Sequence, residues 1–163
     1  MTTPILQAYK FAVKAHEGQL YGTHPYFFHL LDTFTIAQQF NLSKEVQTAC
    51  FLHDVLEDTL THQNEILEQF GERVLYLVQS VTSEEGSNRK ERNLKTYQKI
   101  RWDEESIQLK LCDRIANVSG DGSKNEMYKR ERREFIRQLY CESLTGKTKE
   151  MFVELTKILE YEP

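Results

Sequence analysis

Nothing in this chain constrains its fold as tightly as the stretch Phe51-Leu52-His53-Asp54-Val55-Leu56-Glu57-Asp58-Thr59, which puts one imidazole and three carboxylates among otherwise largely apolar residues. On a helix, residues four apart share a face, so His53 is expected over Glu57 and Asp54 over Asp58. Ala49, Cys50, Phe51 and Leu52 just upstream predict that this helix is largely buried. Ionised carboxylates taken out of water without partners cost several kcal/mol each, so the fold has to bring a counter-charge to this segment. A divalent metal is the simplest such charge, and its remaining ligands must come from elsewhere in the chain.

Apolar residues recur at helical spacing along most of the sequence. Thr3 before Pro4 reads as an N-cap with proline at the first helical position. The helix that follows carries Ile5, Tyr9, Ala12, Val13 and His16 on one stripe and ends near Gly18. His16 there reads as a satisfied core residue, or as a group that orients a neighbour in the site. Residues 20–24 form a loop, and Pro25 is expected to start a second helix with Tyr26, His29, Leu30, Thr33, Ile36, Ala37 and Phe40 turned inward, ending at Asn41. Ser43 caps the helix that contains His53. Ile66, Leu67 and Phe70 predict a shorter helix, separated by Gly71 from another stripe through Val74, Leu75, Val78 and Val81.

Residues 82–92 turn polar and read as a flexible loop, not a domain linker. Helical pattern resumes at Leu94, and Asp103 caps a helix through Ile107, Leu111, Ile115 and Val118 that carries Lys110, Asp113, Arg114 and Asn117. Gly120-Asp121-Gly122-Ser123 ends it. Two further amphipathic helices follow, around Tyr128–Tyr140 and Met151–Leu159. Trp102 reads as a core or helix-junction residue. No alternating strand pattern is evident, and the predicted class is all-α.

At 163 residues, with 39% hydrophobic and 28% charged content, the sequence suits one domain with a sizeable core. A formal charge of −4 argues against a nucleic-acid partner. No apolar run approaches the ~20 residues needed to cross a bilayer, and no leader pattern precedes the first helix. Three cysteines without CxxC spacing point away from a disulfide framework and toward a reducing cytoplasm. Nothing in the sequence specifies an oligomeric state.

His29, His53, Asp54 and Asp113, from three predicted helices, are the candidate ligands. Two imidazoles with two carboxylates suit Mn²⁺, Fe²⁺, Co²⁺ or Zn²⁺ better than Ca²⁺ or Mg²⁺. Glu57 and Asp58 would then be unbound carboxylates beside the metal, placed to take a proton from water or to position it. The bland reading is that these acids cap helices or pair with basic residues such as Arg114. A bare His-Asp dipeptide is a weak signal; a histidine, then His-Asp with Glu-Asp following, then a distant aspartate, is a much stronger one.

On those residues the chain resembles the HD-domain metal-dependent phosphohydrolases, specifically the RelA/SpoT-type hydrolase domain. The matching segments are Phe11-Ala12…Ala15-His16-Glu17-Gly18-Gln19, Pro25-Tyr26…His29, Leu52-His53-Asp54-Val55…Glu57-Asp58-Thr59, Phe70-Gly71…Val78…Val81-Thr82, and Lys110-Leu111-Cys112-Asp113-Arg114-Ile115-Ala116-Asn117. The resemblance implies a single HD-type helical bundle over residues 1–163, with its motifs within 5–118 and helices in 124–160 packed on it. It also implies Mn²⁺ on His29, His53, Asp54 and Asp113, water activation by Glu57 and Asp58, and Asn117 in a nucleotide pocket. The implied reaction is removal of the 3′-pyrophosphate from (p)ppGpp to give GDP or GTP and pyrophosphate. With no synthetase domain following, a stand-alone hydrolase similar to the small alarmone hydrolases is expected.

The chain departs from that pattern where substrate is read. Leu20-Tyr21 stand where the family places an Arg-Lys pair, Ala116 where a larger residue is common, and Gly120 where threonine is frequent. Tyr21 can stack on a base, and Lys110 and Arg114, with Arg89, Lys90, Arg92, Lys95 and Lys99, are candidate cations for phosphate, although a solvated helix face is an equal reading of each. Two other expectations stay open: an HD-type phosphatase acting on another nucleotide or a phosphorylated dinucleotide, and a non-catalytic ligand-sensing module, which predicts loss of Glu57, Asp58 or a ligand.

Overall fold

Local capping chemistry starts most of the helices. Thr3 Oγ1 accepts from the Leu6 N–H and Ser43 Oγ from the Val46 N–H, while Asn88 and Asp103 cap through the Glu91 and Ser106 amides. His62 heads a capping box: its Nδ1 accepts from the Asn64 N–H, and the Glu65 carboxylate accepts from the His62 N–H. The computed structural model describes residues 3–120 and 124–160. In chain order these are α1 (Pro4–Ala15), β1 (Leu20–Tyr21), β2 (His24–Pro25), α2 (Phe27–Gln39), α3 (Lys44–Leu52), α4 (Val55–Asp58), α5 (Gln63–Val81), α6 (Arg89–Ile100), α7 (Glu104–Ser119), α8 (Asn125–Leu139) and α9 (Gly146–Glu160). The architecture is all-α. Residues 121–123 of the expected Gly-rich break lie outside the described residues.

Helices α3 and α7 form the centre. Val46, Ala49, Cys50, Phe51 and Leu52 of α3 are buried, as are Ile107, Leu109, Leu111, Cys112, Ile115 and Val118 of α7, together with the polar Ser106, Gln108 and Arg114 of α7. α3 packs on α1, α2, α5 and α7; α7 packs on α2, α3, α5 and α9. No helix among the described residues is long and apolar enough to cross a membrane. Cys50, Cys112 and Cys141 are all free thiols.

Three expectations are corrected and a fourth is narrowed. The continuous helix through Asp58 is interrupted: α3 ends at Leu52 and α4 begins at Val55. The Cys50 carbonyl, one of those a helix leaves unpaired at its C-terminus, takes the His53 Nδ1–H at 2.9 Å, and the Asp54 carbonyl starts a new turn by accepting from the Glu57 and Asp58 amides. Second, residues 20–25 are not a plain loop but a two-strand hairpin, Leu20 opposite Pro25 and Tyr21 opposite His24, turned at Gly22 with φ 61°. Two-residue strands are too short to show alternation. Third, Pro25 belongs to that hairpin, so α2 starts two residues later. Fourth, Trp102 is 85% exposed and lies under the Arg101 guanidinium between α6 and α7, a junction residue and not a core one. The break at Gly71 stands: its φ of 84° and ψ of 172° kink α5 there.

Candidate metal centre

Three side chains, His29, His53 and Asp113, meet with ligand atoms all within 4.8 Å of one another where α2, the α3–α4 break and α7 converge, and Asp54 lies beside the two histidines at the edge of that group. His29 sits in the first turn of α2 and is 5% exposed; His53, just past α3, is 2% exposed. Asp54 follows His53 in the break, and Asp113 comes from the middle of α7. His29 Nε2 lies 3.7 Å from Asp54 Oδ2 and 3.5 Å from Asp113 Oδ1. His53 Nε2 lies 3.0 Å and 3.7 Å from the same two oxygens. Donors at ~2.1 Å from a common ion stand roughly 3.0–3.5 Å apart at square or tetrahedral angles, so these separations have the scale of a coordination polyhedron's edges.

The chemistry of the donors fits a cation. Because a carbonyl only accepts, Cys50 O fixes the proton of His53 on Nδ1 and leaves a lone pair on Nε2. That buried Nε2 has no hydrogen-bond partner, although Asp54 Oδ2 is close. Two imidazoles and the Asp113 carboxylate within reach of one point, with Asp54 beside them, are a set a divalent metal satisfies and a proton does so poorly. His53 and Asp54 keep backbone angles of the helical region across the break, so as neighbours they diverge by ~100° and approach the centre from two sides.

The charges are strongly coupled. Burial would raise the Asp54 carboxyl, but attraction to His53 holds it down to about 2. Burial would likewise lower His53; the Asp54 carboxylate outweighs this and pushes it well up, so a proton and a cation compete for Nε2. Asp113 is held well below the usual carboxylate range, against its burial, by the Lys110 ammonium 3.0 Å from Oδ2 and by the two histidines 3.5 and 3.7 Å from Oδ1. Asn117 Nδ2, one turn on, donates to Asp113 Oδ1 at 2.6 Å and orients it.

Glu57 and Asp58 lie beside this cluster on α4. Glu57 Oε2 accepts from the Ser83 N–H at 3.0 Å, which ties α4 to the loop after α5. Asp58 is raised by burial and by the neighbouring Asp54 charge. Between Asp54 and Asp58 stands the Tyr26 hydroxyl, 2.6 Å from Asp54 Oδ2 and 3.1 Å from Asp58 Oδ2. Helical spacing identifies Tyr26 only as an inward residue. Its position between the two acids depends on a contact across 28 residues.

A cavity of about 230 Å³ opens over these groups, lined in part by Tyr21, Glu57, Ser83, Arg89, Asn93 and Tyr128. Tyr21 lies parallel to the His29 ring at 4.7 Å, its hydroxyl donates to Asn117 Oδ1, and it accepts from Lys124 Nζ at 3.0 Å. Lys110 and Arg114 reach the wall already paired. The Arg114 guanidinium is 3% exposed, bonded to Tyr97 Oη and Glu131 and flanked by the Tyr128 and Phe135 rings. Of the basic residues after the loop, Arg89 lines the cavity with its guanidinium on Glu131, while Lys95 and Lys99 bind backbone carbonyls of the 79–85 segment instead. Larger hollows of about 700 Å³ between α1 and α5 and about 610 Å³ between α6 and α8 have no histidine in their walls.

Comparison with known proteins gives this geometry a family. The HD-domain model matches residues 8–142. Over 119 residues the chain is 39% identical to a guanosine-3′,5′-bis(diphosphate) 3′-pyrophosphohydrolase of Aquifex aeolicus (strain VF5), covering 70% of this chain and 17% of that protein. It is 31% identical over 125 residues to a GTP pyrophosphokinase of Myxococcus xanthus, covering 70% of this chain and 16% of that one. The chain thus spans less than a fifth of the length of these relatives. A solved structure described as a metazoan ortholog of SpoT that hydrolyzes ppGpp superposes with a TM-score of 0.76 at 19% identity, covering 96% of both chains, a likeness of fold. Matched by that model over most of its length, the chain belongs to the HD-domain family.

Proposed function

We propose that this chain is a metal-dependent phosphohydrolase that removes the 3′-pyrophosphate from (p)ppGpp, leaving GDP or GTP and pyrophosphate. The observation that carries the reading is the convergence of His29, His53, Asp54 and Asp113 with the His53 Nε2 lone pair unsatisfied. These four residues would hold Mn²⁺, which when bound supplies an acidified water and a positive charge facing phosphate. Relatives named as guanosine-3′,5′-bis(diphosphate) 3′-pyrophosphohydrolases support the substrate assignment.

The protein's own groups divide the remaining work. Glu57, held by the Ser83 amide, is the base that takes the water's proton; Asp58, raised by burial, is placed to return a proton to the leaving oxygen. Asn117 and Lys110 keep Asp113 oriented and charged. Tyr21, Asn117, Lys110 and Arg114 line the cavity where nucleotide binds, with Arg89 and Lys124 adding positive charge. We take the domain as residues 1–163 and, since its cysteines are free thiols, place it in the cytoplasm.

Incubating the Mn²⁺-loaded protein with ppGpp and separating products by anion exchange tests this: GDP and pyrophosphate are expected, and Asp54→Ala should abolish them. No turnover of ppGpp by a metal-loaded protein excludes that substrate. A second reading, an HD-type phosphatase for another nucleotide or a phosphorylated dinucleotide, is favoured by Tyr21 standing in place of a phosphate-binding cation. A substrate panel run with the same protein separates the two.

A further inference from the structure

The Tyr26 hydroxyl lies within hydrogen-bonding reach of both an expected metal ligand and a water-handling acid: Asp54 Oδ2 at 2.6 Å and Asp58 Oδ2 at 3.1 Å. The contact is not accidental packing, because Tyr26 is held at its ring and its backbone, and its stacking partner is tethered in turn. His16 stacks on it at 4.5 Å between centroids with an interplanar angle of 9°. The Tyr26 N–H donates to the Gln19 carbonyl at 3.0 Å. The Gln19 side chain closes a loop, since its Nε2 donates to the Asp58 carbonyl at 2.8 Å and its Oε1 lies 2.8 Å from His16 Nδ1. The Asp58 carbonyl can only accept. That fixes the Gln19 amide, which in turn fixes the His16 proton on Nδ1. His16, buried and with Nε2 unpartnered, therefore serves as a rigid plate under the phenol.

We infer that Tyr26 is a positioning residue that locks the Asp54 and Asp58 carboxylates into one geometry, with His16 and Gln19 fixing its ring. This rests on the reading of Asp54 as a metal ligand and of Asp58 as an acid of the reaction. Without the hydroxyl, two like charges face each other across a gap with no hydrogen between them. Asp54 then loses the bond that sets which oxygen it presents, and Asp58 is free to turn away. Groups that orient metal ligands in this way are worth about 10–100-fold in metal affinity or activity.

Tyr26→Phe removes the oxygen and keeps the ring on His16. The expected result is Mn²⁺ binding weakened about tenfold or more, followed by the EPR signal of free Mn²⁺. For the hydrolysis of ppGpp, kcat should fall while KM stays within about threefold. In an Asp58→Asn background the same change should cost less than it does alone, because the two residues act as a unit. His16→Phe, which keeps the stack and drops the Gln19 tether, should lower kcat in the same direction by less. A wild-type protein that binds Mn²⁺ and turns over ppGpp, beside a Tyr26→Phe variant equal to it in Mn²⁺ affinity and kcat, overturns the inference. Full additivity with Asp58→Asn overturns it as well. A wild-type protein that does not bind Mn²⁺ at all overturns the proposed function, and the inference with it.

Discussion

At the scale of single residues, charge and hydrogen bonding decide stability as well as chemistry. Arg73 grips the start of α7, with Nη2 2.8 Å from Asp103 Oδ1 and 2.6 Å from Glu105 Oε2. Asp103 also caps α7 through the Ser106 N–H and hydroxyl. Burial would raise its carboxyl, but the Ser106 and Arg73 hydrogen bonds win and hold it below its ordinary 3.8. A carboxyl depressed in the folded state contributes stability that is complete above its ordinary value and lost as pH falls through the folded one. Melting temperature should therefore fall below about pH 4. Asp103→Asn keeps a good cap residue while removing the charge. It should melt lower than wild type at pH 7 and show a flatter acid limb, read by circular dichroism melts across a pH series.

At the scale of elements, the decisive features are two interruptions. The first, at His53–Asp54, turns one helix into two and puts both candidate ligands at the junction. The second, at Gly71, kinks α5 so that its first half follows α4 and its second half packs on the central helices. Gly71 adopts φ 84° and ψ 172°, a region essentially reserved for glycine. A Cβ there would meet nothing within 4 Å, so the cost of Gly71→Ala lies in the backbone. It should destabilise the fold by about 1–3 kcal/mol. Chemical denaturation should show the midpoint moving with an unchanged slope; an unchanged midpoint would mean that α5 straightens at no cost.

At the scale of the whole molecule, the centre is a seam. Its donors come from α2, the α3–α4 break and α7, which also share the core formed around Leu30, Leu52, Leu109 and Leu111. A metal held there links the helices that would separate on unfolding, so binding is coupled to global stability. At a Mn²⁺ concentration of about 100 times Kd the gain should be near 2.7 kcal/mol, or roughly 2–4 °C of melting temperature per kcal/mol. EDTA should lower the melting temperature of the wild type, added Mn²⁺ should restore it, and Asp54→Ala should be insensitive to both. A wild-type melting temperature indifferent to EDTA and Mn²⁺ would count against the centre as assigned.

What the sequence determined by itself is local or periodic. Thr3, Ser43 and Asp103 start helices because a cap bonds an amide two or three residues away. The apolar stripes define an all-α core because burial follows the 3.6-residue period. The residue types at 29, 53, 54 and 113 offer two imidazoles and two carboxylates, a donor set that suits a divalent transition metal. Only the tertiary structure decided where the helix breaks, since His53 bonding the Cys50 carbonyl competes with continued helix on nearly equal terms and packing chooses between them. It also decided that Tyr26 stands between Asp54 and Asp58, that Tyr21 reaches Asn117 across 96 residues, and that Arg114 is enclosed by Tyr97, Glu131 and two rings. Those contacts join residues far apart in the chain, and their geometry exists only once the helices between them have packed.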